Sequence, residues 1–599
     1  MSSPISFLTS TPMPVEWIDS NHYVTAVGCN IVIASISNPD QYEFLEGHSQ
    51  EITTFAVDKN KTIIVSGQCG KESHTETSTP VIVWDIQSRS QIIVLRGHKS
   101  AIKNIAISED SRIVAVTDQT TNKIWIWDLR EQDLGCFLQP PKPASSIVFG
   151  GCLKDSWLLH VTYDKYLMEY TIKFDVRTFE YKSEEKQYAN PTNGYKRTYD
   201  TSSFVFPFLF VGTKAGELAV YHAASATLRA NLPVDSFSVS AITDGPDEGT
   251  VLVGGHDLSI LRGNDKDWTV VKTMHLDCPI ATISRLDNRA LVRCIDTSIQ
   301  LIDLRRMSRQ TIYTGIVNRP LCCAATNETV VVGLGENGLT IAYIERGGRL
   351  TFSEYRPEFK ATAVAATPVG DFVIGCSDGT LAEIDGRGIE LWRTERVHRG
   401  KITAICATAD FIATGGADGM IRIVTHKSRT LINEIMVHNA QVYKIIPAFG
   451  HPQQIHSVSA DRTMTTTDIS TGKRICQQLT ADRIAFTSID QLTDGETEIL
   501  VSMGDGKVRA YDWPRKGIIF ELDSPQALQI NSIALKPKSR FLACGGESEY
   551  LSFCDVKDEC GEWSVGGTGH SLPIRCVTWT SDGKYLLSAA DDGLCIWKV

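Results

Sequence analysis

The residues with the most obvious chemical potential lie near the end of the 599-residue chain, where His570, Ser588 and Asp592 supply the side-chain types of a serine-hydrolase triad. A hydrolase of the common α/β kind raises its serine on a strained GxSxG elbow, and none accompanies Ser588. Histidines and aspartates in similar settings also recur elsewhere in the chain, which favours a structural role for the set. Gly333, Gly335 and Gly338 fit a GxGxxG dinucleotide fingerprint after a strand-like run from Thr329. That fingerprint must open a helix, whereas Leu-Thr-Ile-Ala-Tyr-Ile from Leu339 alternates like a strand. For zinc, His451 and His456 are five apart, and no second Cys or His pair supports them. The sixteen cysteines are scattered, often in β-rich stretches (Cys294, Cys376, Cys544, Cys554), without a CxxC pair. They read as reduced core residues, the adjacent Cys322 and Cys323 included. The expectation is no catalytic residue, no cofactor-binding residue and no metal ligand.

Composition sets the broad class. Apolar residues at 42% and charged residues at 22% match a folded globular chain and argue against disorder. The start lacks the basic and apolar regions of a secretory signal, and among the longest apolar runs is Phe204 to Val211, broken by Pro207 and far short of a membrane span. The expectation is a soluble, intracellular protein, for which the sequon at Asn327 has no meaning. Net charge is −11, and the densest cationic stretches, Leu304 to Arg309 and Lys536 to Arg540, read as solvated loops. Sequence-independent nucleic-acid binding needs a basic face, so the partners expected are proteins.

Internal repetition carries more information than any single motif. Leu45-Glu-Gly-His48, Leu95-Arg-Gly-His98 and Gly569-His570 each open a short alternating strand, and His398 and His438 head weaker copies without the glycine. Downstream come β-rich runs such as Val81-Ile-Val-Trp84-Asp85, Lys123 to Trp127-Asp128 and Leu594 to Trp597. Between these ends recurs a small-residue strand followed by Asp-Gly, at Asp378-Gly379, Asp418-Gly419, Asp505-Gly506 and Asp592-Gly593. Asp-Gly between strand-like runs marks a hairpin, because glycine supplies the positive φ of a tight turn. The spacing of about 40 residues, with four short strands per unit, is that of WD repeats in a β-propeller. In such repeats the histidine, a strand Ser or Thr, the turn Asp and the strand Trp form a hydrogen-bonded chain, for which the last unit offers His570, Ser588, Asp592 and Trp597.

The units begin near residues 15, 47, 97, 143, 198, 236 and 276, and again near 318, 360, 398, 438, 480, 528 and 570. The fold class expected is all-β: tandem seven-bladed WD40 β-propellers, fourteen blades, with residues 1–315 forming the first and 316–599 the second. Each ring needs its last blade completed, commonly by a strand from the far end of the chain. Which terminus closes which ring stays open, and the hairpin-like stretch from Tyr23 to Ile36 could join either.

One hairpin departs from the pattern. After Ser66-Gly67-Gln68 the chain runs through a polar insert, Cys69 to Pro80, before Val81 to Asp85. Loops of this length in a compact repeat are often functional. Leu45-Glu-Gly-His48, Ser66-Gly67-Gln68, the insert and Val81-Ile-Val-Trp84-Asp85 together resemble the echinoderm-microtubule-associated-like and ciliary WD-repeat proteins. Ala26 to Ile33, the ending from Gly567 to Lys598 and the lack of a separate N-terminal domain favour the ciliary branch. Residues 421–425 and 465–468 depart from it where a tryptophan is expected.

That resemblance implies a non-enzymatic scaffold without cofactors, a microtubule inner protein on the lumenal wall of axonemal doublets. Its partners would be α/β-tubulin and neighbouring microtubule inner proteins in a large periodic assembly, with no nucleic acid and no membrane. The insert from Cys69 to Pro80 would touch tubulin or an adjacent inner protein. The alternatives are an actin-interacting WD-repeat protein that assists cofilin, also a tandem seven-plus-seven propeller, and a generic WD40 adaptor.

Overall fold

Runs such as Ile63 to Val65, Val330 to Val332 and Ile421 to Val424 are rich in β-branched residues, so they extend as strands and break at the turns. A computed structural model describes residues 4–38, 41–70, 79–153, 156–188, 197–394, 396–480, 484–493, 498–513, 517–525, 528–556 and 561–599. These form fourteen four-stranded sheets, antiparallel throughout. In thirteen, strand order follows chain order; in the last, Ser6–Thr9 lies outside Gly593–Lys598.

The chain divides into two compact units, Thr11–Thr314 and Met1–Ser10 with Gly315–Val599, each holding seven sheets. The boundaries 1–315 and 316–599 expected from sequence are therefore corrected at the N-terminus. Ser6–Thr9 belongs to the second unit because its backbone pairs with the final strand, Ser6 opposite Ile596 and Thr9 opposite Gly593. The stretch from Tyr23 lies in the first unit, in the sheet built from His22–Val27 and Asn30–Ser35.

Within each unit the sheets stack face to face in cyclic order like blades, with an apolar layer between neighbours. In the first ring, for example, Trp84 packs with Ile18 and Ile31 of the preceding blade. Trp17 of the first blade meets Leu291 and Ile299 of the seventh and completes the circle. In the second ring, Leu587 and Leu594 of the last blade pack on Val330 and Val332 of the first.

Near the start of many innermost strands a bulge breaks the register, as between Ile402 and Ala404 or Ile52 and Thr54. A bulge leaves one residue out of the ladder and turns its side chain aside. That residue becomes a staple between blades. Thr53 Oγ1 donates to Ile102 O at 2.6 Å, Thr362 Oγ1 to Ile402 O at 2.5 Å and Thr403 Oγ1 to Val442 O at 2.6 Å; Ser240, just ahead of its strand, likewise donates from Oγ to Ile280 O at 2.6 Å. The insert expected to project from the second blade lies largely outside the described residues, which resume in the strand Thr79–Asp85.

Candidate functional site

The triad-like set is assembled, and its environment decides its chemistry. His570 Nδ1 bonds Asp592 Oδ1 at 2.7 Å, and Nε2 bonds Ser588 Oγ at 2.8 Å. Trp597 Nε1 donates to the same Oγ at 2.8 Å, and Asp592 Oδ2 accepts the Ser571 N–H at 2.6 Å. All four side chains are buried. Burial opposes the charge on His570, but the Cys595 sulfur and the Asp592 carboxylate outweigh it and hold the imidazole well above its ordinary value. A charged imidazole donates from both nitrogens and cannot take a proton from serine, so Ser588 is a structural acceptor of two donors rather than a nucleophile.

Gln68 stands in place of the aspartate in the second blade. His48 Nδ1 donates to Gln68 Oε1 at 2.8 Å, Nε2 meets Ser66 Oγ at 2.7 Å, and Trp84 Nε1 donates to that Oγ at 2.8 Å. Burial lowers His48 to about 4. It stays neutral, so Ser66 donates to its Nε2 and the chain runs one way from indole to amide.

Of the five blades headed by His48, His98, His398, His438 and His570, two lack the tryptophan, as the sequence indicates at residues 421–425 and 465–468. Val424 and Thr467 occupy the tryptophan register there. In each, the residue two positions earlier supplies the polar group instead. Arg422 Nη1 donates to His398 Nδ1 at 2.6 Å, and Thr465 Oγ1 lies 2.9 Å from Ser457 Oγ, which meets His438 Nε2 at 2.8 Å. The turn glycines then receive the next histidine. Gly419, at φ +79°, has the His438 carbonyl where a Cβ would stand, 2.4 Å away, so only glycine fits.

The remaining candidates separate in space or in role. Gly335–Asn337 is one 3₁₀ turn between strands, closed by Leu334 N–H donating to Gly338 O at 2.9 Å, with no following α-helix to hold a pyrophosphate. His451 is exposed in a turn, whereas His456 is buried in a strand and bonded to Thr466 Oγ1 at 2.6 Å. Among the described residues no group of three or more His, Cys, Asp or Glu side chains could hold a metal ion, and no disulfide forms. Asn327 Oδ1 accepts the Asp582 N–H at 2.8 Å. No helix among them is long and apolar enough to cross a membrane.

Motif reading passed over the axis of the second ring, where the seven innermost strands enclose a channel of about 530 Å³. One register position on each strand gives Cys322, Ala363, Ala404, Lys444, Ser488, Ser532 and Cys576. Six are small; the seventh is a lysine. Lys444 Nζ reaches from the fourth blade to the sixth, donating to Ile533 O at 2.8 Å with Ser488 Oγ at 3.3 Å. The available signal was this alignment of inner strands, in which one long cation stands among small residues.

The sequence model of the WD domain, G-beta repeat family matches residues 89–128, 390–424 and 563–598. These stretches end in the strands that carry Trp127, Val424 and Trp597. The chain carries WD repeats. This WD-repeat chain is 22% identical over 605 residues to cilia- and flagella-associated protein 52 of Bos taurus, spanning 97% of this chain and 93% of that one. Its counterpart in Chlamydomonas reinhardtii is 23% identical, spanning 97% and 94%. A human serine-threonine kinase receptor-associated protein is 27% identical, but over 40% of this chain. The ciliary proteins thus match both propellers end to end, and the receptor-associated protein matches part.

Proposed function

We propose that this WD-repeat protein is a non-enzymatic scaffold of the ciliary or flagellar axoneme, a microtubule inner protein on the lumenal wall of the doublets. The observation that carries this reading is the end-to-end similarity to proteins named for cilia and flagella, in mammals and in an alga. Shared WD repeats alone give matches of partial length, as with the receptor-associated protein. Side chains that could do chemistry are committed elsewhere: the histidines, hydroxyls and indoles of the repeats are buried and bonded to one another.

Fold alone does not fix a propeller's partner. Tubulin and neighbouring inner proteins are proposed from the resemblance, and the acidic net charge accords with a surface that need not grip tubulin's acidic outer tails. The tagged chain is expected along axonemes and is expected to stay with doublets through salt extraction that strips outer proteins. Diffuse cytoplasmic staining, or pelleting with cofilin-treated actin but not with microtubules, overturns the proposal.

A further inference from the structure

The channel of the second ring carries one more feature at the joint between the ring's first and last blades. In the fifth and sixth blades, the inner register position holds serine, and each hydroxyl binds the following blade. Ser488 Oγ accepts the Ile533 N–H at 3.2 Å and Ser532 Oγ accepts the Val577 N–H at 3.2 Å. Where the ring closes, a thiol takes that place. Cys576 Sγ donates to the Cys323 carbonyl of the first blade at 3.6 Å, and both cysteines pack in the apolar cluster of this joint.

The setting of Cys576 combines three features. Like Cys322, it is half-buried and lines the channel, whereas Cys406 is sealed in the layer between blades. The Cys576 sulfur lies against the backbone of Cys323 across the joint, 3.6 Å from that residue's carbonyl, so Cys323 is the adjoining cysteine. The Lys444 ammonium, held by Ile533 O, adds positive charge from across the channel. The neighbouring Cys323 and the Lys444 ammonium favour the Cys576 thiolate against the opposing effect of burial, while burial pushes Cys406 up to about 12. A thiolate is the reactive form, and an electropositive, partly open setting selects one cysteine among many.

We propose that Cys576 is a peroxide-reactive thiol and that Cys323 resolves it into a disulfide joining the last blade of the second ring to the first. The oxidant is hydrogen peroxide. The Cys576 thiolate attacks one peroxide oxygen and the O–O bond breaks; hydroxide leaves and is protonated to water, and Cys576 becomes a sulfenic acid. Cys323 sulfur then attacks the sulfenic sulfur; the S–S bond forms, the S–O bond breaks, and the departing hydroxide takes the Cys323 proton as a second water. Two thiols lose two electrons, and one peroxide becomes two waters. The cross-link spans 253 residues of chain, so it restrains the unfolded state strongly and keeps the ring shut.

The experiment treats the reduced full chain with a small excess of hydrogen peroxide, blocks the remaining thiols and maps the peptides. The expected product links the peptides of Cys323 and Cys576 and raises the unfolding midpoint of the second ring by several degrees. In Cys323→Ser the reaction stops at a Cys576 sulfenic acid that a 1,3-dione traps. Lys444→Met slows oxidation severalfold. Cys576→Ser abolishes both products and keeps the fold, because serine already fills the equivalent place in two blades. Cys576 reacting no faster than Cys406, or pairing with a cysteine other than Cys323, overturns the proposal.

Discussion

In the first ring every blade is one continuous stretch of chain, and the joint between its first and seventh blades is made by side chains. Trp17, fully buried, donates its backbone N–H to Ser284 Oγ at 3.1 Å and its indole N–H to Ser284 O at 3.2 Å. The Arg289 guanidinium lies 4.9 Å from the Trp17 ring and donates to Ser20 O at 2.8 Å. In the second ring the joint is a borrowed strand. Ser6–Thr9 pairs along Gly593–Ile596, with Ile5 N–H to Ile596 O at 2.9 Å and Ser10 N–H to Asp592 O at 3.0 Å. Ser6 Oγ also accepts the Leu350 N–H of the ring's first blade at 3.0 Å, so the strand clasps both sides of the joint. The comparison separates two kinds of robustness. A backbone ladder tolerates most substitutions and fails when the strand is removed; a side-chain joint is insensitive to the chain's end and fails at one residue.

Removing residues 1–10 is the largest test of this contrast. Phe7 and Leu8 bury side chains worth about 2–3 kcal/mol each, and the paired backbone is lost with them. Hydrogen exchange is expected to rise across the second ring's last and first blades while the first ring stays protected. Uniform loosening of both rings breaks the comparison. Trp17→Ala follows, at about 3–5 kcal/mol, and the same exchange measurement is expected to report it on the first ring alone, at the blades that carry Trp17 and Ser284.

The smallest effect separates the two histidine types by pH. His48 falls to about 4 in the folded ring, so the unfolded chain takes up more protons between pH 6.5 and 4, and stability falls as pH drops through that window. At pH 5 this amounts to about 2 kcal/mol, which His48→Gln is expected to remove from the pH dependence of urea unfolding. His570 has the opposite sign: its folded value is raised, so its contribution is complete below the unfolded value near 6.5 and is lost as pH rises through the folded one. Identical slopes for His48→Gln and His570→Gln sharpen the matter against distinct charge states.

Much of this architecture was legible because blade markers are local. Gly-His, Asp-Gly and the strand tryptophans sit within one repeat, so their spacing announces hairpins before any long-range contact is known. The alternation after Gly338 likewise pointed away from a nucleotide fold, and Leu339–Ile344 is a strand. The clasp was not legible. Ser-Phe-Leu-Thr is too short to carry a register, and its partner lies at the opposite end of the chain. The replacements Arg422 and Thr465 escaped notice because each acts from two positions before the one where tryptophan was sought. Lys444 lies in Val-Tyr-Lys-Ile-Ile, which reads as an ordinary solvent-facing alternation until the ring places that position on its axis. The charge on His570 was beyond pattern reading too, since Asp592 against Gln68 exchanges a carboxylate for a longer, neutral amide, and the effect depends on burial.

The clasp also sets an order of events at the ribosome. Residues 6–9 emerge long before the strand that receives them, with Ser10 and Asp591 bonded across 581 residues. At roughly 5–20 residues per second, that strand waits between about half a minute and two minutes for its sheet. The first ring, whose blades are each continuous, is able to assemble during this wait as its segments appear. The second ring acquires its fourth closing strand only once residues 593–596 have emerged, so Phe7 and Leu8 stay without their partner strand, within reach of the cell's chaperones, throughout that interval.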